Sequence, residues 1–191
     1  SRSDVELAWK AGGGWKNAMV SQGVGGGQHT DLAFDKMNRP IVLFTTLEEK
    51  QVDGDSVLGL WIARSGDDAK TWDMMKLYPG KMTSSPSLVV GPDDAIYVAF
   101  YDGEPQEQRG QLYRLPPGGD FKGDWEFIKL DKKTYRGGQD PSIAIDGNGA
   151  VAVAFYRCSR ASDSDCTDQT DALVVGYAPD TDGVPFKKWE W

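Results

Sequence analysis

Apolar and polar positions alternate along this chain in short runs separated by turn residues, and one run sets the pattern. Asp140–Arg157, DPSIAIDGNGAVAVAFYR, has an apolar stretch at Ser142–Asp146, a turn signal at Asp146-Gly147-Asn148-Gly149 and a second stretch at Ala150–Tyr156. Asp-Gly and Asn-Gly pairs tolerate the positive φ of a tight turn, so the run predicts a β-hairpin. Ser85–Asp102, SPSLVVGPDDAIYVAFYD, is a second copy, and Thr30–Thr46, TDLAFDKMNRPIVLFTT, is a weaker third. Making Leu32, Leu88 and Ile143 equivalent gives spacings of 56 and 55 residues. A fixed period of that size predicts a stacked or radial array of similar units.

Taken in order, the chain supplies four strands to each copy. Asp4–Lys10 and Trp15–Ser21 come first, joined by Gly12-Gly13-Gly14. The first full copy has strands near Asp31–Asp35, Ile41–Thr46, Val57–Ser65 and Trp72–Tyr78. The second has Ser87–Val90, Ala95–Asp102, Gly110–Leu115 and Trp125–Leu130. The third has Ser142–Asp146, Ala150–Arg157, Ala172–Ala178 and Lys188–Trp191. Trp15, Trp72, Trp125 and Trp189 open the outermost strands, where they are expected to cover the gap to the next sheet. Small inner residues, Ala33, Ala99, Ala144, Ala152 and Ala154, suit a crowded axis. Four short antiparallel strands per repeat predict an all-β chain of β-propeller blades. The expected divisions are an outer half blade at 1–27 and blades at 28–81, 82–137 and 138–191, about three and a half blades in all. A half blade leaves strand edges bare, which folded proteins avoid. The expectation is therefore that further blades of a longer chain, or neighbouring copies, cover those edges.

Charge narrows the partners. The formal net charge is −8, which disfavours nucleic acid, since phosphate recognition needs a basic surface. It leaves carbohydrate or protein as easier ligands. No apolar run reaches the length of a membrane span.

Ser65–Trp72, SGDDAKTW, is similar to the Asp-box, Ser-x-Asp-x-Gly-x-Thr-Trp, of sialidases and other Asp-box (BNR repeat) propellers, with Ser65, Asp67, Thr71 and Trp72 at the matching places. Ala69 stands where that family has Gly, and a positive φ there costs Ala about 1 kcal/mol or slightly more. In that family the box is a folding device on the face opposite the active site. Nearly all of the chain also resembles bacterial extracellular repeat proteins built from units of this kind. That resemblance implies an extracellular, surface or periplasmic β-propeller and leaves its ligand open. The family's catalytic Phe/Tyr-Arg-Ile-Pro motif is missing, and Asn38-Arg39-Pro40 falls in a hairpin turn. The expected role is a non-catalytic binding or scaffold module, with a sialidase-like glycoside hydrolase and a purely structural spacer as alternatives.

In a propeller, the loops joining fourth to first strands and second to third strands share one face. The residues expected there are His29, Asp31, Tyr101, Asp102, Arg136, Gln139, Asp140, Tyr156 and Arg157. Alignment makes His29, Ser85 and Asp140 equivalent, and likewise Gln28, Ser84 and Gln139. Polar groups at equivalent strand starts can line a pocket for a sugar, or simply hydrogen-bond strand ends and channel water. His29, the single histidine, has no nucleophile indicated beside it and is expected to be non-catalytic.

Cys158 and Cys166 flank an acidic loop carrying Asp163, Asp165, Asp168 and Asp171. No cofactor is expected. The four carboxylates are the calcium candidates, because Ca²⁺ takes several oxygen ligands on a flexible loop; a solvated acidic loop is the alternative. A disulfide between the two cysteines fits an oxidising compartment and would stabilise by roughly 2–3 kcal/mol if unstrained. Intact mass of the non-reduced protein should fall short of the reduced mass by two hydrogens; titration of two free thiols would rule the bridge out.

Overall fold

The computed structural model of the chain describes residues 4–21, 26–46, 51–52, 55–66, 69–81, 85–103, 109–130, 136–158 and 171–178. These residues form fifteen strands and no helix. The chain divides into two compact units, Ser1–Lys81 and Met82–Trp191.

In the first unit β1 (Val5–Ala11) and β2 (Gly14–Ser21) form a two-stranded antiparallel sheet. A four-stranded sheet follows from β3 (Gly26–Phe34), β4 (Pro40–Thr46), β7 (Gly59–Ser65) and β8 (Trp72–Tyr78), in sequence order from edge to edge. The two-residue strands β5 (Gln51–Val52) and β6 (Asp55–Ser56) pair with each other. In the second unit β9 (Ser87–Val90), β10 (Ile96–Asp102), β11 (Arg109–Leu115) and β12 (Glu126–Lys129) repeat the four-stranded arrangement. The last sheet is β13 (Arg136–Ile145), β14 (Val151–Cys158) and β15 (Asp171–Ala178). The expected strand at Lys188–Trp191 lies outside the described residues.

The repeat is visible in the pairing register. Leu32 faces Val42, Leu88 faces Val98, and Ile143 faces Val153. The hairpin turn between these strands is built the same way each time. The amides of Asp35, Gly91 and Asp146 donate to the carbonyls of Arg39, Ala95 and Ala150, at 3.1, 2.8 and 3.0 Å. The residue before the last takes positive φ: Asn38 at 58°, Asp94 at 75° and Gly149 at 89°. A three-residue loop ending in a left-handed residue is a common hairpin solution, and Asn and Asp tolerate that conformation better than most. A carboxylate then holds the loop. Asp35 Oδ1 accepts the amides of Met37 and Arg39 at 3.0 and 2.9 Å, and Asp146 Oδ1 those of Asn148 and Ala150 at 2.8 and 2.9 Å. In the middle copy Gly91 replaces that Asp, and Asp93 instead accepts the amide of Ala95 at 3.1 Å.

Two cores result. In the first unit Val5, Leu7 and Val20 of the small sheet pack with Val42, Phe44, Ala63 and Ala69. In the second, Tyr97, Ala99 and Leu112 pack with Ile143, Val153, Phe155 and Val174.

The turn between β7 and β8 is described in part. Ser65 is buried, its hydroxyl accepts the amide of Ala69 at 2.9 Å, and Ala69 has φ of 64°. Asp67 lies outside the described residues. Trp72 opens β8 half-buried, and its indole N–H is buried without a hydrogen-bond partner among them. Of the other tryptophans expected to open outer strands, Trp15 departs from expectation. Trp125 precedes β12, where its indole N–H donates to the Phe121 carbonyl at 2.7 Å. Trp15 is the second residue of β2 and is 75% exposed, so it covers nothing within its unit. Trp189 lies outside the described residues.

Removing the turn carboxylates should cost stability in proportion to their burial. Asp35 is buried and also binds the Arg39 guanidinium at 2.6 Å, whereas Asp146 is exposed. Asp35→Ala should destabilise by about 2–3 kcal/mol and Asp146→Ala by about 1 kcal/mol in urea unfolding; equal costs would contradict this account of the turns.

Candidate functional site

The strands that open the first and third full repeats, β3 and β13, share an irregularity that a regular alternation would not produce. The ladder of β3 with β4 slips between Gly26 and Gln28 and again between Gln28 and Asp31. That of β13 with β14 slips between Gly137 and Gln139 and between Gln139 and Ser142. The dihedrals match too: Gly27 and Gly138 have φ of 113° and 104°, while His29 and Asp140 have 49° and 46°. An inserted residue at a bulge bends the strand and re-aims the side chains around it. Non-glycine residues in the left-handed region are strained by roughly 1 kcal/mol or more.

Glycine is required here for space as well as dihedral. A Cβ on Gly26 would lie 2.9 Å from the Phe44 ring. A Cβ on Gly138 would lie 2.1 Å from the Cα of Gly110, and one on Gly110 would lie 2.7 Å from the Cα of Gly138. In the second unit the kink of β13 thus rests backbone to backbone on β11. In the first, the Thr45 hydroxyl donates to the Gln28 carbonyl at 2.5 Å and holds the bulge closed.

The bulges decide how the expected site residues are presented. His29 and Asp140 are exposed, and Asp31 and Gln139 are half-buried. Asp31 Oδ1 accepts the amide of Leu32 at 2.8 Å. Gln139 sits opposite Tyr156, Gly137 opposite Arg157, and Arg136 opposite Cys158. Tyr156 and Arg157 are half-buried. Within the second unit these residues therefore share one end of the β13–β14 ladder.

Tyr101 and Asp102 are placed differently. Both are buried at the C-terminal end of β10, and Asp102 has no exposed surface. Burying a carboxylate demands partners, and Asp102 Oδ2 accepts the Gln111 amide at 3.2 Å across the β10–β11 ladder. Gln111 was not legible as that partner, because only the register of β11 brings it there. Tyr113 belongs to the same sheet. Burial, and secondarily the Asp102 charge, raise its phenol above the ordinary 10.0.

Cys158 closes β14 and is buried, and Asp171 opens β15. Cys166, Asp163, Asp165 and Asp168 lie outside the described residues, as does Ser84. Among the described residues no three acidic, histidine or cysteine side chains cluster as metal ligands would.

No protein-family model and no curated protein matches the chain. Among solved structures, it is similar to a protein of unknown function from Dyadobacter fermentans DSM 18053. The TM-score is 0.55 at 15% identity, covering 93% of this chain and 54% of that one. The chain thus spans about half the length of that protein, and the likeness is one of fold.

Because Tyr113 is neutral in the fold at pH values where the unfolded phenol ionises, its contribution is complete below pH 10.0 and is lost as pH rises beyond it. Asp102→Asn should lower the Tyr113 pKa without returning it to the ordinary value, since desolvation is the larger cause. Ultraviolet titration of the phenol checks this; an unchanged or raised pKa would contradict it.

Proposed function

We propose that the chain is part of a β-propeller that serves as a non-catalytic binding or scaffold module of an extracellular or surface protein, recognising carbohydrate or protein through one loop face. The propeller reading is supported by the repeated sheet with its 55–56 residue register. A disulfide from Cys158 to Cys166 belongs to the same reading.

The observation that carries the binding role is the paired kink at His29 and Asp140. Two non-glycine residues at equivalent places hold left-handed backbone and present exposed polar side chains. Strain that is kept at equivalent sites, when glycine would relieve it, marks a functional position. His29 and Gln28 in the first unit, and Asp140 and Gln139 at the equivalent strand start of the second, would each offer hydrogen bonds to a polar ligand. Neutral or cationic ligands suit the acidic chain, and sugars satisfy both donors and acceptors of this set.

The protein should therefore retain a small group of glycans on an array, with no turnover of a fluorogenic glycoside panel. His29→Gly and Asp140→Gly should each be more stable than the corresponding Ala variants by about 1 kcal/mol, since Gly relieves the positive φ. Both pairs of variants should lose binding. Glycoside hydrolysis would favour the sialidase-like enzyme, and variants that bind like wild type would remove these residues from the ligand face.

A further inference from the structure

The two units carry the same surface, covered in one and bare in the other. Residues of β3 and β4 correspond to those of β13 and β14 at an offset of 111 positions: Leu32 to Ile143, Phe34 to Ile145, Val42 to Val153 and Phe44 to Phe155. The matching bulges and φ values make this a structural equivalence as well as a sequence one. Val42, Phe44, Val153 and Phe155 are all buried. The inner pair differs. Ile143 is 8% exposed and packs with Ile145 against Val89, Tyr97 and Ala99 of β9 and β10, whereas Leu32 and Phe34 are 44% and 53% exposed.

Among its described residues the first unit has no counterpart of β9 and β10. The small sheet matches only the outer strands. ELAWKAGGG of β1 aligns with QLYRLPPGG of β11, which makes Leu7 equivalent to Leu112 and Gly13 to Gly118, and these glycines have φ of 86° and 72°. β11 pairs its inner edge with β10 along seven residues, while β1 pairs with β2 alone among the described residues. Beside that edge runs a groove of about 370 Å³, lined by Glu6, Ala8, Asp31 and Leu32 among others. A larger cavity of about 1100 Å³ shares Leu7 with it and is lined by Phe34, Lys10, Lys16 and Lys70.

We propose that this groove docks a β-hairpin with the chemistry of Ser87–Asp102. The second strand of the hairpin pairs with the edge of β1, and its apolar side chains cover Leu32 and Phe34 as Tyr97 and Ala99 cover Ile143 and Ile145. Three observations select that occupant. The second unit already contains it, seated on the equivalent surface. The bare edge of β1 offers backbone donors and acceptors that a strand satisfies and a helix does not. The hairpin turn is acidic, with Asp93 and Asp94, and the cavity carries three lysines. The inference stands on the repeat and is independent of the glycan reading.

The test uses the whole chain and a fluorescent synthetic peptide of sequence SLVVGPDDAIYVAFYD, with a scrambled peptide as control. Anisotropy should show saturable binding of the ordered peptide alone. Phe34→Arg should weaken it by about tenfold or more, from loss of a buried aromatic contact. A peptide with Asn in place of the two turn aspartates, Asp93 and Asp94, should bind less tightly and with less dependence on salt. N-methylation of the second peptide strand, at amides pointing away from the first, leaves the protein untouched and should abolish binding. Equal binding of the N-methylated or scrambled peptide overturns the proposal. So does failure to bind in a protein whose self-association Phe34→Arg abolishes, since a second copy would then be the occupant.

Discussion

The register of the inner hairpins is the constraint on which the rest depends. Side chains on a strand alternate with a period of two, so a slip of one residue would turn Leu32, Leu88 and Ile143 away from the faces they share with Val42, Val98 and Val153. A short loop with one left-handed residue prevents the slip, and a carboxylate in it satisfies amides that the ladder cannot. The three turns solve the problem with different residues. Asn38 and Asp94 accept a conformation that Gly149 adopts freely, and Asp93 stands in for the carboxylate that Gly91 lacks. The geometry recurs because the sheet needs it, not because the letters do.

At the opposite end of the same strands the constraint is contact rather than hydrogen bonding. The backbones of Gly110 and Gly138 approach too closely for any side chain, and Gly26 lies against the ring of Phe44. Such contacts tie the kink in β3 and β13 to the packing beneath it. The left-handed backbone at His29 and Asp140 follows from that kink, and so does the exposure of their side chains. Core packing and the presentation of candidate binding groups are therefore one feature seen from two sides.

The two units also show how much a sheet depends on its neighbour. Ile143 and Leu32 occupy equivalent strands in equivalent registers, yet one is covered and the other is not. Residue type did not decide that. Among the described residues, β9 and β10 pack against Ile143 in one unit, whereas no counterpart of those two strands lies against Leu32 in the other.

Much of the architecture was legible in the sequence because it is local. Alternation identified the strands, Asp-Gly and Asn-Gly marked the third hairpin turn, and the 55–56 residue period aligned three hairpins whose cross-strand partners prove to be the same. Other features depended on pairing between distant segments. The bulges lengthen β3 and β13 beyond their alternating parts, to Gly26 and Arg136, and only the recurring Gly-Gly-Gln hinted at them. Tyr101 and Asp102 read as surface residues at a strand end, but the β10–β11 ladder buries them and gives Asp102 to Gln111. Trp15 reads as a cover for a neighbouring sheet and is exposed. Periodicity says which side of a strand a residue takes; what lies against that side is a property of the tertiary structure, because it is supplied by residues far away in the chain.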